Sequence, residues 1–443
     1  MRSLEQWLDR QYRHCAEAML RSVSPTSLVK ERPGFGQRIR AKKGAVIASP
    51  VLGAYDPDPD YFFHWFRDSA VVIDALRVLR EDGTLGDAAF THLADFVQFS
   101  LELCALDGRA LLQSRDWRMR IAPDFEKFVR TDADLAGAHG EAVVGETRVN
   151  PDGTLDISKW GRPQNDGPAL RALALLRWFA SATLSIELDR ATDILLRSDL
   201  HYTRSHWRDA CYDIWEEEKG HHYYTLHVSA AALEYGADWL ASRGSSSQAE
   251  ELRAEARAIR RTLDGYWCES AGFYRSRVLE SGARSAKELD IAVILAAVHA
   301  PSVAAKHSLL DPGVHATLKA LEQLFIDEYP INRDLPASRG PAMGRYRGDV
   351  YYSGGAYYFS TLGAAEFCFQ VAAHHPQRPA WLARGDRYLE TVRIYTPASG
   401  DLSEQFDKQT GAQSSAKQLA WSYAAFITCV AARRAANSKQ LKL

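Results

Sequence analysis

The chain has 443 residues, 54 Lys and Arg against 56 Asp and Glu, and a formal net charge of -2. That balance gives no electrostatic reason for nucleic acid or an anionic membrane as partner. With 46% hydrophobic and 25% charged residues, the composition is that of a soluble globular protein with a sizeable core. No run approaches the roughly 18 apolar residues that a membrane span needs. The first residues, MRSLEQWLDRQYRHC, contain no apolar stretch and no small-residue cleavage site, so no signal peptide is read and a cytoplasmic protein is expected. Cys15, Cys104, Cys211, Cys268, Cys368 and Cys429 are scattered without a CxxC pair. They read as small buried hydrophobes in a reducing compartment.

Helical periodicity recurs from end to end, with starts expected near residues 4, 68, 86, 166, 186, 223, 246, 287, 311, 352, 377 and 416. Residues 246–265 show it plainly, with Leu252, Ala256, Ile259 and Leu263 on one face and Ser247 and Glu250 spaced as a capping box. Asp166-Gly167-Pro168 and Asp311-Pro312 read as two further starts, a cap residue ahead of a proline. Period-2 alternation is nearly absent. The non-helical stretches 25–66, 107–165, 267–286, 329–350 and 395–415 are rich in Gly, Pro and Asp, and long loops of this kind in a helical domain usually carry function. The pattern predicts a single all-α domain over residues 1–443. Paired helices with long loops gathered at one end suggest an α/α barrel.

Four segments crowd polar and aromatic residues where helices begin or end. In Tyr61–Ser69, Arg67 and Asp68 stand at the mouth of a helix; Asp68 reads either as its cap or as a pocket group with Trp65 beneath a ligand ring. In Trp160–Pro168, a cap explains Asp166 and Pro168 but not Trp160, Arg162 and Gln164 together. In Asp213–Gly220, three glutamates follow Trp215 among Tyr212, Tyr223 and Tyr224, and crowding of that kind raises the pKa of a carboxyl toward the value a general acid requires. Asp401–Asp407 contributes Glu404, distant in sequence from Glu216. A glycosidase needs such a pair, one carboxyl to protonate the leaving oxygen and one to activate water.

These segments resemble glycoside hydrolase family 15, the glucoamylases. YFFHWFRDS is similar to the family's first active-site motif and WGRPQNDGPALR to its second. DIWEEEKGHHYYT resembles the segment of the general acid, MGRYRGDVYYSGGAYY the fourth segment, and LSEQFDKQTGAQSSAKQLAWSYAAF the segment of the general base. The matches run in family order from about residue 45 to 430, and LEQWLDRQYRHC resembles the family's first helix. The resemblance implies an (α/α)6 barrel of six helical hairpins and an inverting, exo-acting release of β-D-glucose from non-reducing ends. It implies Glu216 as general acid and Glu404 as general base. Arg67 and Asp68 match the pair that grips the terminal glucose, and Tyr61 the residue that helps hold the catalytic water. Trp65 and Trp160 match pocket walls, and Trp215 joins the substrate-binding set. Glu217, Arg345 and Asp349 match groups around the leaving sugar, while Glu218 is left as solvated surface.

Two departures fall on the leaving-group side. Arg347-Gly348 stands where many members carry Pro-acid, and Ser353-Gly354-Gly355-Ala356-Tyr357 replaces Asn-Gly-Asn-Pro-Trp. They leave room for α-1,6 as well as α-1,4 linkages. No starch-binding module and no N-terminal β-sandwich is read, which favours short intracellular oligosaccharides over raw starch. A trehalase of the same fold and a catalytically silent sugar-binding regulatory domain are the alternatives; glutamate at both carboxyl positions argues against silence. No metal or organic cofactor is implied. His221-His222 beside a turn read as solvated, without a third ligand, and no dinucleotide or phosphate loop is present. The oligomeric state is left open.

Overall fold

The computed structural model describes residues 3–53, 57–114, 116–303 and 306–438. The described residues form fourteen α-helices: α1 (Leu4–Leu20), α2 (Phe66–Glu81), α3 (Ala88–Cys104), α4 (Gly108–Gln113), α5 (Asp132–Gly137), α6 (Asp166–Ser181), α7 (Ile186–His206), α8 (Tyr223–Ser242), α9 (Ser246–Leu263), α10 (Ala292–His299), α11 (Pro312–Glu328), α12 (Tyr358–Ala372), α13 (Arg378–Tyr395) and α14 (Ala420–Ser438). Helices α2, α6, α8, α10, α12 and α14 pack each on the next, and α14 returns to α2, closing an inner ring. The outer layer is α1, α3, α7, α9, α11 and α13. This is an (α/α)6 barrel.

Sequence dictates which helix lies where. Inner helices are apolar on nearly every side: α12 is buried almost throughout, as is the first half of α8. Outer α9 is amphipathic, burying Ala249, Leu252, Ala256, Ile259 and Leu263 along one stripe and leaving the rest in water. Inner helices also need small residues where they touch. At Gly363 of α12 a β-carbon would lie 2.5 Å from the Leu295 side chain of α10, closer than packed carbons approach.

Eleven of the twelve expected helix starts fall within five residues of observed ones, and the twelfth is displaced for a visible reason. The helix expected near 352 begins at Tyr358, because Gly354 has φ +53° and a β-carbon there would lie 2.0 Å from the Asp349 carbonyl oxygen. Asp311 caps α11 as expected, accepting from the Gly313 amide at 2.7 Å. The capping box at Ser247 and Glu250 does not form: α9 starts from Ser245, with no side-chain cap. Nor is Asp166 a cap. The N-cap of α6 is Asn165, and Asp166 is the first helical residue. Short helices α4 and α5 lie in the stretch 107–165 read as loop, the second closed by a Thr131–Asp134 capping box. All six cysteines are free, and all but Cys104 are buried. Among the described residues no helix is long and apolar enough to cross a membrane.

Candidate active site

Each inner helix begins just after one of the unusual segments, so the N-termini of the inner ring gather those segments at one end of the barrel. They enclose a pocket of about 220 Å³ that opens to solvent. Its floor is aromatic. Phe359 and Trp421 stack at 4.2 Å between ring centroids, and Trp215 stacks on both at 5.9 and 6.4 Å. Tyr61 and Trp65 form a second aromatic pair at 5.1 Å. Flat apolar faces of this kind suit the C–H face of a sugar ring.

Arg67 and Asp68 lie in the first turn of α2 and Asp166 at the start of α6, where the positive ends of the helix dipoles favour carboxylates. Asp68 is thus a first-turn group and not the N-cap, which is Trp65. Arg67 bonds Glu216 Oε1 at 3.0 Å and stands 3.3 Å from Asp68 and 3.8 Å from Asp166. Burial opposes its charge, but Asp68, Glu216 and Asp166 together overcome that and hold the guanidinium protonated. Burial pushes Asp68 and Asp166 up to about 6, with Arg67 acting in the opposite sense. Arg67 Nε and Nη1, Asp68 Oδ2 and both Asp166 oxygens are buried without a hydrogen-bond partner in the protein. Such atoms are costly to leave unpaired, and a polyhydroxylated ligand supplies partners for those that face the pocket.

Glu216 sits on a sharp turn with φ +66°, a conformation that needs outside support. Asp213 supplies it: Oδ1 accepts from the amides of Glu217 at 2.7 Å and Glu218 at 3.2 Å, and its carbonyl accepts from the Glu216 amide at 2.8 Å. Arg277 neutralises Asp213 from behind at 2.6 Å. The same arginine binds Glu218 at 2.9 Å, and Ser285 donates to Glu218 at 2.7 Å. Glu218 is therefore a partner of buried Arg277 and not the solvated residue expected. His222, also read as solvated, is buried, its ring bonded to the Cys211 carbonyl at 2.9 Å. The indole N–H of Trp160 donates to the second oxygen of Glu216, and its ring stacks 3.6 Å from the Arg148 guanidinium while remaining 42% exposed at the mouth.

Glu404 enters from a different element. Ala356–Tyr357, Gln405–Phe406 and Gln413–Ser414 form a small antiparallel sheet, whose register pairs Gln405 with Ser414. Glu404 and Ser415 therefore face each other at its edge, where the Ser415 hydroxyl donates to Glu404 Oε2. Tyr61 donates to the two carboxylate oxygens at 3.1 and 3.3 Å and meets the Tyr351 hydroxyl at 2.9 Å. Burial keeps Tyr61 protonated, so it remains a donor. Burial raises Glu404 to about 7, partly offset by Ser415, Arg345 and Tyr61. Ser353, in a segment that departs from the family pattern, ties the sheet together through Gln405 at 2.9 Å and Ser414 at 2.8 Å.

The third cluster rims the opening. Glu217 accepts from Arg345 at 2.9 Å, from Lys287 at 2.6 Å and from the Tyr346 hydroxyl. Asp349 holds Arg345 through two bonds of 2.7 Å.

Tyr61, Trp65, Arg67, Asp68, Trp160, Trp215, Glu216, Glu217, Arg345 and Glu404 all line this one pocket, and Asp349 stands behind Arg345. Arg162 and Gln164 do not line it: Arg162 pairs with Glu146 and Asp156, and Gln164 donates to the Asp213 carbonyl beneath the turn of Glu216. Sequence reasoning missed Tyr351, Phe359, Ser415 and Lys287. The first three fall inside or beside the motif segments; nothing in the pattern marked Lys287. Among the described residues no group of three or more His, Cys, Asp or Glu is placed to hold a metal.

Cleavage of a glycosidic bond requires two carboxyl groups reaching one sugar-sized hollow. The chain is a glycoside hydrolase. A sequence model of glycosyl hydrolases family 15 matches residues 35–384 and 379–431, and the chain belongs to that family. It is 27% identical to Glucoamylase 1 of Rhizopus oryzae over 491 residues, covering 98% of this chain and 72% of that protein. It is also 27% identical to the intracellular sporulation-specific glucoamylase of Saccharomyces cerevisiae, over 96% of this chain and 83% of that one. Among solved structures, the family 15 glucoamylase of Hypocrea jecorina superposes with a TM-score of 0.78 at 24% identity, covering 98% of this chain and 72% of that one. The Saccharomycopsis fibuligera glucoamylase superposes equally well, at 0.78 and 22% identity, over 100% and 97%. At such identities these two show the fold.

Proposed function

We propose that the protein is an inverting exo-α-glucosidase that releases β-D-glucose from the non-reducing end of short α-1,4- or α-1,6-linked gluco-oligosaccharides in the cytoplasm. Glu216 is the general acid and Glu404 the general base. Arg67 and Asp68 grip the terminal glucose, with Trp65, Trp160 and Trp215 as walls. Glu217, Arg345 and Asp349 shape the leaving side.

One observation carries this reading. Glu216 touches Arg67 on its inner side, and its chain neighbour Glu217 belongs to the rim cluster with Arg345. It thus stands between the deep and outer parts of the pocket, where the scissile oxygen between two sugars would lie. Glu404 lines the same pocket and is held by Tyr61 and Ser415, hydroxyls that suit a carboxylate and a water beside it. A role exchange, favoured by the raised proton affinity of Glu404, is separable by α-D-glucosyl fluoride, whose leaving group needs no proton. Glu216→Gln is expected to hydrolyse the fluoride while losing ~10²–10⁴-fold on disaccharides. Glu404→Gln is expected to fail on both; the opposite pattern reverses the roles.

The intracellular yeast relative is in keeping with a cytoplasmic protein. Glucose release from maltose, isomaltose and trehalose fixes the linkage, and trehalose as the sole substrate would make the protein a trehalase. Digestion of polymeric starch as efficient as that of disaccharides would sink the short-substrate reading.

A further inference from the structure

Outside the motif segments, the loop after Arg277 reaches the pocket rim and ends on Lys287. Its backbone is fixed on both sides. The Lys287 amide donates to Ser285 at 3.0 Å, its carbonyl accepts from Ser276 at 2.9 Å, and the Ser276 amide donates to the Glu288 carbonyl at 2.8 Å. Ser285 also bonds Glu218, so the loop is tied to the turn that carries Glu216.

The hydrogen bonding at the rim decides which group is free to meet a ligand. Glu217 Oε1 takes Arg345, and Oε2 takes both Lys287 and the Tyr346 hydroxyl. Its acceptor capacity is largely used within the protein. Arg345 is buried, and its Nη2 is shared among Glu217, Asp349 and Tyr346. Lys287 differs. Its ammonium has three N–H donors, of which Glu217 engages one, and its side chain is 27% exposed, with Nζ lying 4.8 Å over the Tyr346 ring. Lys287 thus keeps donors to spare beside Glu217, a residue of the pocket lining.

We propose that Lys287 is a specificity-determining residue for the leaving sugar: held by Glu217 and Tyr346, its ammonium donates to a hydroxyl or ring oxygen of the sugar being released. The inference rests on the exo-glucosidase reading above. It places selectivity for a sugar leaving group in a side chain outside the family motifs.

The test compares Lys287→Met and Lys287→Arg with the wild type. Substrates are the better of maltose and isomaltose, and 4-nitrophenyl α-D-glucopyranoside, whose leaving group carries no hydroxyls. Lys287→Met is expected to lower kcat/KM for the disaccharide about 10- to 100-fold, the worth of one hydrogen bond to a charged group, and to leave the aryl glucoside within about threefold of wild type. Lys287→Arg, which keeps charge and donors, should restore part of the loss. Equal losses on both substrates would show a merely structural role and overturn the proposal, as would an unchanged disaccharide rate. A wild type inactive on every α-glucoside would instead overturn the functional reading beneath it.

Discussion

Replacing Glu404 by glutamine should cost activity and add stability, in a way that depends on pH. Glu404 is 8% exposed, and burial raises it from 4.5 to about 7. A carboxyl with a raised native pKa is bound to its proton more tightly in the folded chain than in the unfolded one. Between about pH 4.5 and 7 the native state therefore holds more protons, and stability falls as pH rises, the penalty being complete above the folded value. A shift of about 2.5 units corresponds to about 3 kcal/mol. Glutamine does not ionise and escapes this penalty, but it accepts less well from Tyr61 and Ser415, which offsets about 1 kcal/mol. At pH 8.5 the variant should be more stable by about 2 kcal/mol. At about 2.1 cal/mol/K per residue of unfolding entropy, that is a rise of roughly 2 °C in Tm for a chain of this length. At pH 4.5 the two proteins should melt together or the variant slightly lower. Calorimetric melting at both pH values, with glucose release measured alongside, checks both halves. A variant destabilised equally at both pH values, or one retaining glucose release within tenfold of wild type, would refute the reasoning.

The remaining expectations concern the groups that hold the carboxyls. Ser415→Ala removes a hydroxyl that favours the carboxylate form of Glu404, so the acidic limb of the kcat/KM profile should move to higher pH by about half to one unit; a limb that stays or moves down would contradict this. Arg67→Met leaves Glu216, Asp68 and Asp166 without their shared cation and should cost about 3–5 kcal/mol near pH 8. Because protonation of Asp68 and Asp166 relieves the repulsion, the loss in Tm should shrink toward pH 5; a pH-independent loss would count against the ion cluster. Asp213→Asn disturbs the amide bonds behind Glu216 and leaves Arg277 less well balanced; glucose release should fall about tenfold or more although Asp213 lies outside the pocket lining, and an unchanged kcat would remove its positioning role.

The barrel was legible because its helices announce themselves: the stripe Leu252–Ala256–Ile259–Leu263 and the Asp311 cap are local signals, and both form. Boundaries failed where tertiary contacts decide. Gly354 and Gly355 delay α12 because the Asp349 and Phe406 carbonyls press against them, and no periodicity encodes that approach. Asp166 looked like a cap because it stands two residues before a proline, but the fold spends it on Arg67. The pocket residues could be named from ordered motifs, since those motifs sit at helix N-termini that the ring brings together. Glu218 and Lys287 show the limit of such reading. One lies in an acidic run whose solvation depends on buried Arg277 arriving from another strand. The other lies on a loop without helical or motif pattern and gains meaning only from its 2.6 Å contact with Glu217.

Whether water attacks from the face opposite the leaving sugar can be read directly from the product. Proton NMR of the first turnovers on the preferred disaccharide reports the anomer of the released glucose before mutarotation. β-Glucose is expected if Glu404 activates water while Glu216 protonates the leaving oxygen; α-glucose as the initial product would contradict the assignment of both glutamates.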